Sequence, residues 1–310
     1  MAGGPGIFSM LKQGVSDFLA DDCTSMAAAI SYYAIFSLPP LLLLIILILG
    51  SVVSPQDVQG AVQTQINRMV GPSSATVVRG ILAHAESPGG GLVSTLLGVA
   101  ALIFGALGVF GELQVALNRA WEVKPDPNQG GIKPFLMKRL LSAGMILAIA
   151  FLLLVSLAIS AALSAFGQAL GGLLGGTVST AVLHVLNIAI SFGVITLLFA
   201  AIFKVVPDAK INWGSVWVGA LITAALFVVG KYLLGLYLGR TNPGEVFGAA
   251  GSLALLLLWI YYSSNILLFG AELTQVWARR HGGIRPEKGA VLVERTPHTP
   301  EPAGAHSGGG

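Results

Sequence analysis

The apolar positions of this chain gather into six long runs, roughly residues 26–50, 92–111, 140–163, 178–203, 213–238 and 249–271. A helix needs about 20 apolar residues to cross a hydrocarbon core about 30 Å thick, and each run meets that length. Across all six, the one formally charged residue is Lys231. The pattern predicts an all-α membrane protein, a six-transmembrane-helix bundle filling residues 26–278.

Shorter periodic stretches lie outside the runs. Phe8, Leu11, Val15, Phe18 and Leu19 recur at three-to-four spacing, so residues 1–25 are expected to hold an interfacial amphipathic helix ahead of the first span. Asp21-Asp22 sits where a helix N-cap is expected. Between the first two runs, Val58, Val62, Ile66 and Met69 form one stripe and Val77, Ile81 and Leu82 another, with Pro72-Ser73-Ser74 between them. That reads as a helical hairpin on the outer, periplasmic face. Residues 279–310, rich in Pro, Gly and Glu, are expected to form a disordered tail.

Composition agrees with lipid as the solvent. The 310 residues are 55% hydrophobic and 10% charged, with a mean hydropathy of +0.81, where a soluble domain carries about 25% charged residues. The net charge of +3 is too small to suggest nucleic acid, but the placement of the basic residues is informative. Thirteen of the seventeen Lys and Arg residues fall on one side of the six-span arrangement, in the N-terminal segment, the second and fourth loops and the C-terminal tail. Basic residues are retained on the cytoplasmic side. Both termini are therefore expected in the cytoplasm, as an even number of spans requires. The start does not read as a cleavable signal peptide, and Cys23 alone leaves no intrachain disulfide.

Three stretches resemble the YihY/BrkB family of bacterial inner-membrane proteins: AAAISYYAIFSLPPLLLLI (Ala27–Ile45), LQVALNRAWEVKP (Leu113–Pro125) and GAAGSLALLLLWIYYSSNILLFGAELTQVWARR (Gly248–Arg280). The likeness covers most of residues 8–285, and the last stretch is the most specific. It implies a six-span helical protein of the bacterial inner membrane. Members of the family have been called ribonuclease BN, others have been labelled for serum resistance, and some are discussed as lipid transporters.

The residues speak against the ribonuclease label. A metal-dependent nuclease needs clustered histidine and carboxylate ligands. His84, His184, His281, His298 and His306 are scattered, and no P-loop occurs. No enzyme activity, metal or cofactor is expected.

Polar residues inside the spans are the better candidates. Thr180, His184, Asn187 and Ser191 share one face of the fourth run, and Ser156, Ser160 and Ser164 form a stripe in the third. Lys231 stands alone in the fifth, about 12 Å deep counted from its outer end. One reading has Lys231 snorkelling outward while the serines and Asn187 glue helices together. The other joins Lys231, His184, Asn187, Thr180, Ser191, Ser156 and Ser160 into a hydrated pathway that accepts an anionic headgroup.

A second polar set lies at the cytoplasmic ends. Tyr261, Asn265 and Glu272 share a face of the sixth run, and Glu112 ends the second just before Asn118 and Arg119. Glu272 with Arg119 or Arg139 would form a cytoplasmic gate, or else an ordinary ion pair locking helix ends. Pro39-Pro40 should kink or break the first span. Glycine rows such as Gly167, Gly171 and Gly175 suit close packing within the bundle or a homo-oligomer contact.

Two functions are consistent with these features. One is a transporter or flippase-like protein for an amphipathic anion such as a phospholipid, with membrane lipids as its partners. The alternative is a non-transporting accessory or scaffold protein of the cell envelope.

Overall fold

The structure is a computed structural model that describes residues 7–50, 60, 100, 108–126, 176–241, 251–281, 284–286 and 290–293. The periplasmic hairpin, the third span with Ser156 and Ser160, and Arg139 lie outside the described residues. What is described is mostly helical. Helix α1 spans Ile7–Ala20, α2 Cys23–Gly50, α3 residues 108–120, α4 Gly176–Val205, α5 Trp213–Thr241 and α6 Gly251–His281. Among the described residues, three segments are long and apolar enough to cross a membrane: Ile188–Val205, Trp213–Tyr237 and Leu253–His281. They correspond to the fourth, fifth and sixth apolar runs. Large apolar side chains on them, such as Ile188, Leu221, Val229 and Leu253, are exposed, which in water would be costly and in lipid is not.

Local chemistry sets the element ends. Asp22, with a left-handed φ of 56°, reverses the chain between α1 and α2. Its carbonyl accepts the Met26 amide at 3.3 Å, and its carboxylate accepts the Ser25 hydroxyl at 3.0 Å. Asp22 thus stands at the N-cap position of α2, but its carboxylate takes a side-chain hydroxyl in place of the backbone amide that a capping side chain accepts. Helix α2 continues without interruption past Pro39 and Pro40, so no break forms where one was considered; the carbonyls of Ile35 and Phe36 instead go without their usual i+4 donors. Helix α3 ends at Glu122, the second left-handed residue, with φ 53°. Pro207 follows the end of α4, and the Asn212 carbonyl accepts the Val216 amide at 3.1 Å as α5 begins. Helix α6 runs ten residues beyond the apolar run that predicts it and closes on Arg279, Arg280 and His281, cations that suit a helix C-terminus.

The described core lies at one end of the bundle. Trp121, Leu117, Phe203, Ile211, Val216, Leu268 and Leu273 are fully buried there. Short strands seal the same end. Strand β1 (Val123–Pro125) pairs antiparallel with β4 (Ala290–Leu292), Val123 opposite Leu292. Strand β2 (Ala209–Lys210) pairs with β3 (Arg285–Pro286), Lys210 opposite Arg285. Residues 284–286 and 290–293 fall in the stretch expected to be disordered. Here they are ordered, because the loops after α3 and α4 offer them backbone partners; the Val293 amide also donates to the Glu122 carbonyl at 2.8 Å.

Candidate functional site

Helices α5 and α6 run antiparallel and meet through a reciprocal pair of small residues. A Cβ on Gly219 would collide with the Thr274 hydroxyl, and a Cβ on Gly270 with the Thr223 hydroxyl. Each threonine is fully buried and donates to the carbonyl one turn back on its own helix, Thr223 to Gly219 at 2.7 Å and Thr274 to Gly270 at 2.5 Å. The hydroxyls are thus satisfied within each helix, and the glycines let the backbones close over them. Further along, Gly230 leaves room for the Tyr262 hydroxyl. This register brings Lys231, the next residue, level with Tyr261 and Tyr262.

The face on which Lys231 sits follows from its row. Ala220, Ala224, Phe227 and Lys231 fall at i, i+4, i+7 and i+11, on one side of α5. Ala220 and Ala224 are fully buried. The Phe227 ring stands between Phe199 of α4, at 5.8 Å, and Trp259 of α6, at 6.0 Å. That contact extends to Phe203 and Tyr262 in a continuous chain of rings bridging three helices. The outward residues around Lys231 are Val228, Val229, Tyr232 and Leu233, all exposed. Lys231 itself is half-buried. It therefore continues the inward row rather than the outward one.

Exposed aromatic residues bracket α5. Trp213 and Trp217 lie near its start, Tyr232 and Tyr237 near its end. At 1.5 Å per residue, Trp217 and Tyr232 are about 22 Å apart and Trp213 and Tyr237 about 36 Å. A hydrocarbon core of about 30 Å fits between such belts. Lys231 then lies about 9 Å inside the Tyr237 level.

The other residues expected on the pathway are described in part. Thr180, His184 and Asn187 lie within α4, but their side chains fall outside the described set. Ser191, on the same row, is exposed.

At the strand-bearing end the expected gate residues take individual roles. Glu272 is fully buried, and its carboxylate accepts the Cys23 thiol at 3.6 Å. Burial pushes the thiol well above its ordinary range; the Glu272 charge and hydrogen bond and the Asp21 charge add to this, and Arg119 opposes it. Arg119 donates to the Asp21 carbonyl at 3.1 Å. Arg119 and Glu272 thus reach the same corner with Asp21 and Cys23 beside them. An ion pair among the described residues joins Arg279 to Glu122, which the sequence did not single out. Asn265 donates to the carbonyl of Tyr261 on its own helix at 2.8 Å. Glu112 is half-buried on α3.

Two further features were missed. Asp208 is buried in the α4–α5 connection, where its carboxylate accepts Asn118 at 2.9 Å and Gln114 at 3.3 Å while its amide donates back to the Asn118 side chain at 2.7 Å. Its signal was a lone acid after Pro207, just past the end of a long apolar run. Gln275 is fully buried on α6, and among the described residues neither of its amide atoms has a hydrogen-bond partner. No three His, Cys, Asp or Glu among the described residues are grouped so as to hold a metal ion.

A sequence model of the family described as "Virulence factor BrkB" matches residues 15–291. Among curated proteins, the chain is 31% identical to a UPF0761 membrane protein of Azotobacter vinelandii over 83% of its own length and 60% of the relative's. It is 29% identical to one from Pseudomonas paraeruginosa, covering 85% of this chain and 62% of that protein, and 27% identical to one from a Psychrobacter species, covering 86% and 48%. The chain thus spans about half to three-fifths of the length of these relatives. No solved structure matches.

Proposed function

The chain belongs to the virulence factor BrkB family of membrane proteins, and from that premise we propose that it is a transporter or flippase-like protein for an amphipathic anion, with phospholipids as the substrate class. The observation that carries the proposal is the place of Lys231 on the inward row of α5, one turn beyond Phe227. A cation in a span is costly unless solvated or paired. Snorkelling would have to run toward the nearby Tyr237 end of α5. Helical Cα–Cβ bonds, however, tilt toward the helix N-terminus, here toward the middle of the bilayer. The ammonium is thus aimed along the inner face, where an anionic headgroup would neutralise it and Tyr261 and Tyr262 stand at the same level. Glu272, Asn265, Tyr261, Glu112, Arg119 and Arg139 form the cytoplasmic gate of this pathway, and Thr180, His184, Asn187, Ser191, Ser156 and Ser160 line it. No catalytic step belongs to this reading.

The test is transbilayer movement of a fluorescent phospholipid in vesicles holding the purified protein. Lys231→Met keeps the apolar stem and removes the charge; it is expected to abolish movement while leaving the protein folded and inserted. Lys231→Arg should retain part of the activity. Movement unchanged in Lys231→Met would refute the role of Lys231, and no movement with the wild-type protein would leave the accessory or scaffold reading.

The same proposal places the chain in the bacterial inner membrane with both termini cytoplasmic and the Ser54–Gly91 loop periplasmic. Single cysteines at Ser74 and Gly308 should react with an impermeant maleimide from opposite sides; reaction from the same side would overturn this topology.

A further inference from the structure

Helix α1 has three faces, and the protein itself occupies one of them. On the docked face Met10 is buried, Gly14 lies against Leu273 of α6, Phe18 stands edge-on to Phe269 with centroids 5.8 Å apart, and Gln13 accepts from Arg280 at 3.1 Å. A polar face carries Lys12 and Ser16, both exposed. The third face is an apolar edge: Phe8 is 82% exposed, Leu11 40%, Val15 47% and Leu19 66%. Those four fall at i, i+3, i+7 and i+11, within an arc of about 80°, and Phe18 belongs to the docked face instead.

We propose that this edge is a lipid-binding surface: α1 lies along the bilayer interface by Phe8, Leu11, Val15 and Leu19 while its docked face grips the C-terminal part of α6 and holds it at a fixed depth. The two-residue turn at Asp21-Asp22 joins α1 directly to α2, on which Tyr32 and Phe36 are likewise exposed. The apolar edge is therefore tethered to the border of the membrane-facing surface and continues it. Lys12 flanks the edge where a lysine can lay its stem over the acyl boundary and its ammonium among anionic headgroups. An amphipathic helix of this kind binds by buried apolar area together with that attraction. A second copy of the chain is a poorer occupant. The strip is about 16 Å long and about 10 Å wide, far short of the roughly 800 Å² per partner that a stable protein interface buries. The inference rests on the membrane placement of the neighbouring helices and not on transport.

Spin labels on single cysteines at Phe8, Leu11, Lys12, Val15, Ser16 and Leu19 test it in the full chain, reconstituted in nanodiscs of phosphatidylethanolamine and phosphatidylglycerol. Cys23 is fully buried and does not compete for the label. Collisions with oxygen, which partitions into lipid, are expected to be several-fold more frequent at positions 8, 11, 15 and 19 than at 12 and 16. Collisions with a water-soluble nickel chelate should show the reverse order. Equal access of the chelate to all six positions would overturn the proposal, because the edge would then face water. Exclusion of both probes from the edge, with spin–spin broadening, would overturn it in favour of a second copy. Neither result bears on lipid transport, so the two readings fail separately.

Discussion

Gly270→Ala should destabilise the protein, although alanine is the better helix former. A Cβ at position 270 would meet the Thr223 hydroxyl inside any permitted contact, with Thr223 Cγ2 at 2.6 Å and Cβ at 2.8 Å. Thr223 cannot readily swing away. It is fully buried, its hydroxyl is committed to the Gly219 carbonyl at 2.7 Å, and a β-branched side chain in a helix has few χ1 rotamers. Overpacking of this kind costs about 1–3 kcal/mol. The gain in helix propensity from Gly to Ala returns up to about 1 kcal/mol. The net expectation is a loss near 1 kcal/mol.

A double-mutant cycle isolates the contact. Thr223→Ala alone loses the hydroxyl's bond to the Gly219 carbonyl on its own helix and should cost about 0.5–1.5 kcal/mol. Combined with Gly270→Ala it removes the clashing hydroxyl and methyl but keeps the Cβ at 2.8 Å, so the double variant should recover part of the loss. Thr274→Ala is the control: Thr274 faces Gly219, not Gly270, and should give no rescue of Gly270→Ala. It should relieve part of the loss in Gly219→Ala instead. Reversible unfolding in mixed detergent micelles, followed by circular dichroism, measures all of these. The reasoning fails if Gly270→Ala is stabilising by the propensity gain alone, or if Thr274→Ala rescues it as well as Thr223→Ala does.

Three other outcomes follow from the strand-bearing end. The Cys23 thiol is held neutral in the fold while the unfolded thiol titrates near about 8.5; above that pH the unfolded chain has lost a proton that the folded chain keeps, so stability should fall by up to about 1.4 kcal/mol per pH unit. Cys23→Ser keeps a donor for Glu272 but does not titrate there, and a pH-melting profile in which it retains the wild-type slope would contradict the assignment. Asp208→Ala strands the buried Asn118 side chain and should cost about 1–3 kcal/mol in the same micelle assay, with a change below about 0.5 kcal/mol counting against the clasp. Gln275→Met replaces a buried amide that has no partner among the described residues by an apolar side chain of similar shape and should recover part of a desolvation penalty of about 1–3 kcal/mol; a drop in melting temperature would mean the amide is engaged.

The helices were legible because lipid imposes one simple demand on sequence. A span must be long and apolar, and the runs at 178–203, 213–238 and 249–271 anticipate α4, α5 and most of α6. The extension of α6 to His281 was less visible because its last turns leave the apolar register at Glu272, Thr274 and Gln275. They are buried because α1, α2 and α5 gather around that end, a tertiary fact that hydropathy does not encode. The strands in the tail escaped for the same reason. Residues Ala290–Leu292 have little of their own to suggest a strand beyond two apolar side chains, and their order comes from the loop at Val123–Pro125. The glycines at 219 and 270 also went unnoticed, because the rows that drew attention were Gly-to-Gly at four-residue spacing. The pairs that pack here are Gly followed by Thr, equivalent in size demand but mixed in composition.

The sequence could flag Lys231 by its charge alone, but it could not say which way it faces. In a run where nearly every neighbour is apolar, hydropathy has no periodicity from which to assign an inner side. The inner side of α5 becomes definable only through contacts: Gly219 and Thr223 against α6, then Phe227 against Phe199 and Trp259. Those fix the rotation of the helix, and Lys231 follows at i+4 from Phe227. The same contacts limit what can move. On the proposed pathway, a headgroup at Lys231 would meet an α5–α6 pair whose backbones interlock at Gly219 and Gly270, so sliding one helix along the other by a turn would drive each threonine into backbone with a Cβ. The α4–α5 contact includes the ring pair Phe199–Phe227, whose rings can tilt past one another at lower cost. If Lys231 serves a pathway, the side of α5 that opens is therefore the one toward α4. Substitutions that lock Phe199 against Phe227 should slow transport more than those at Tyr262.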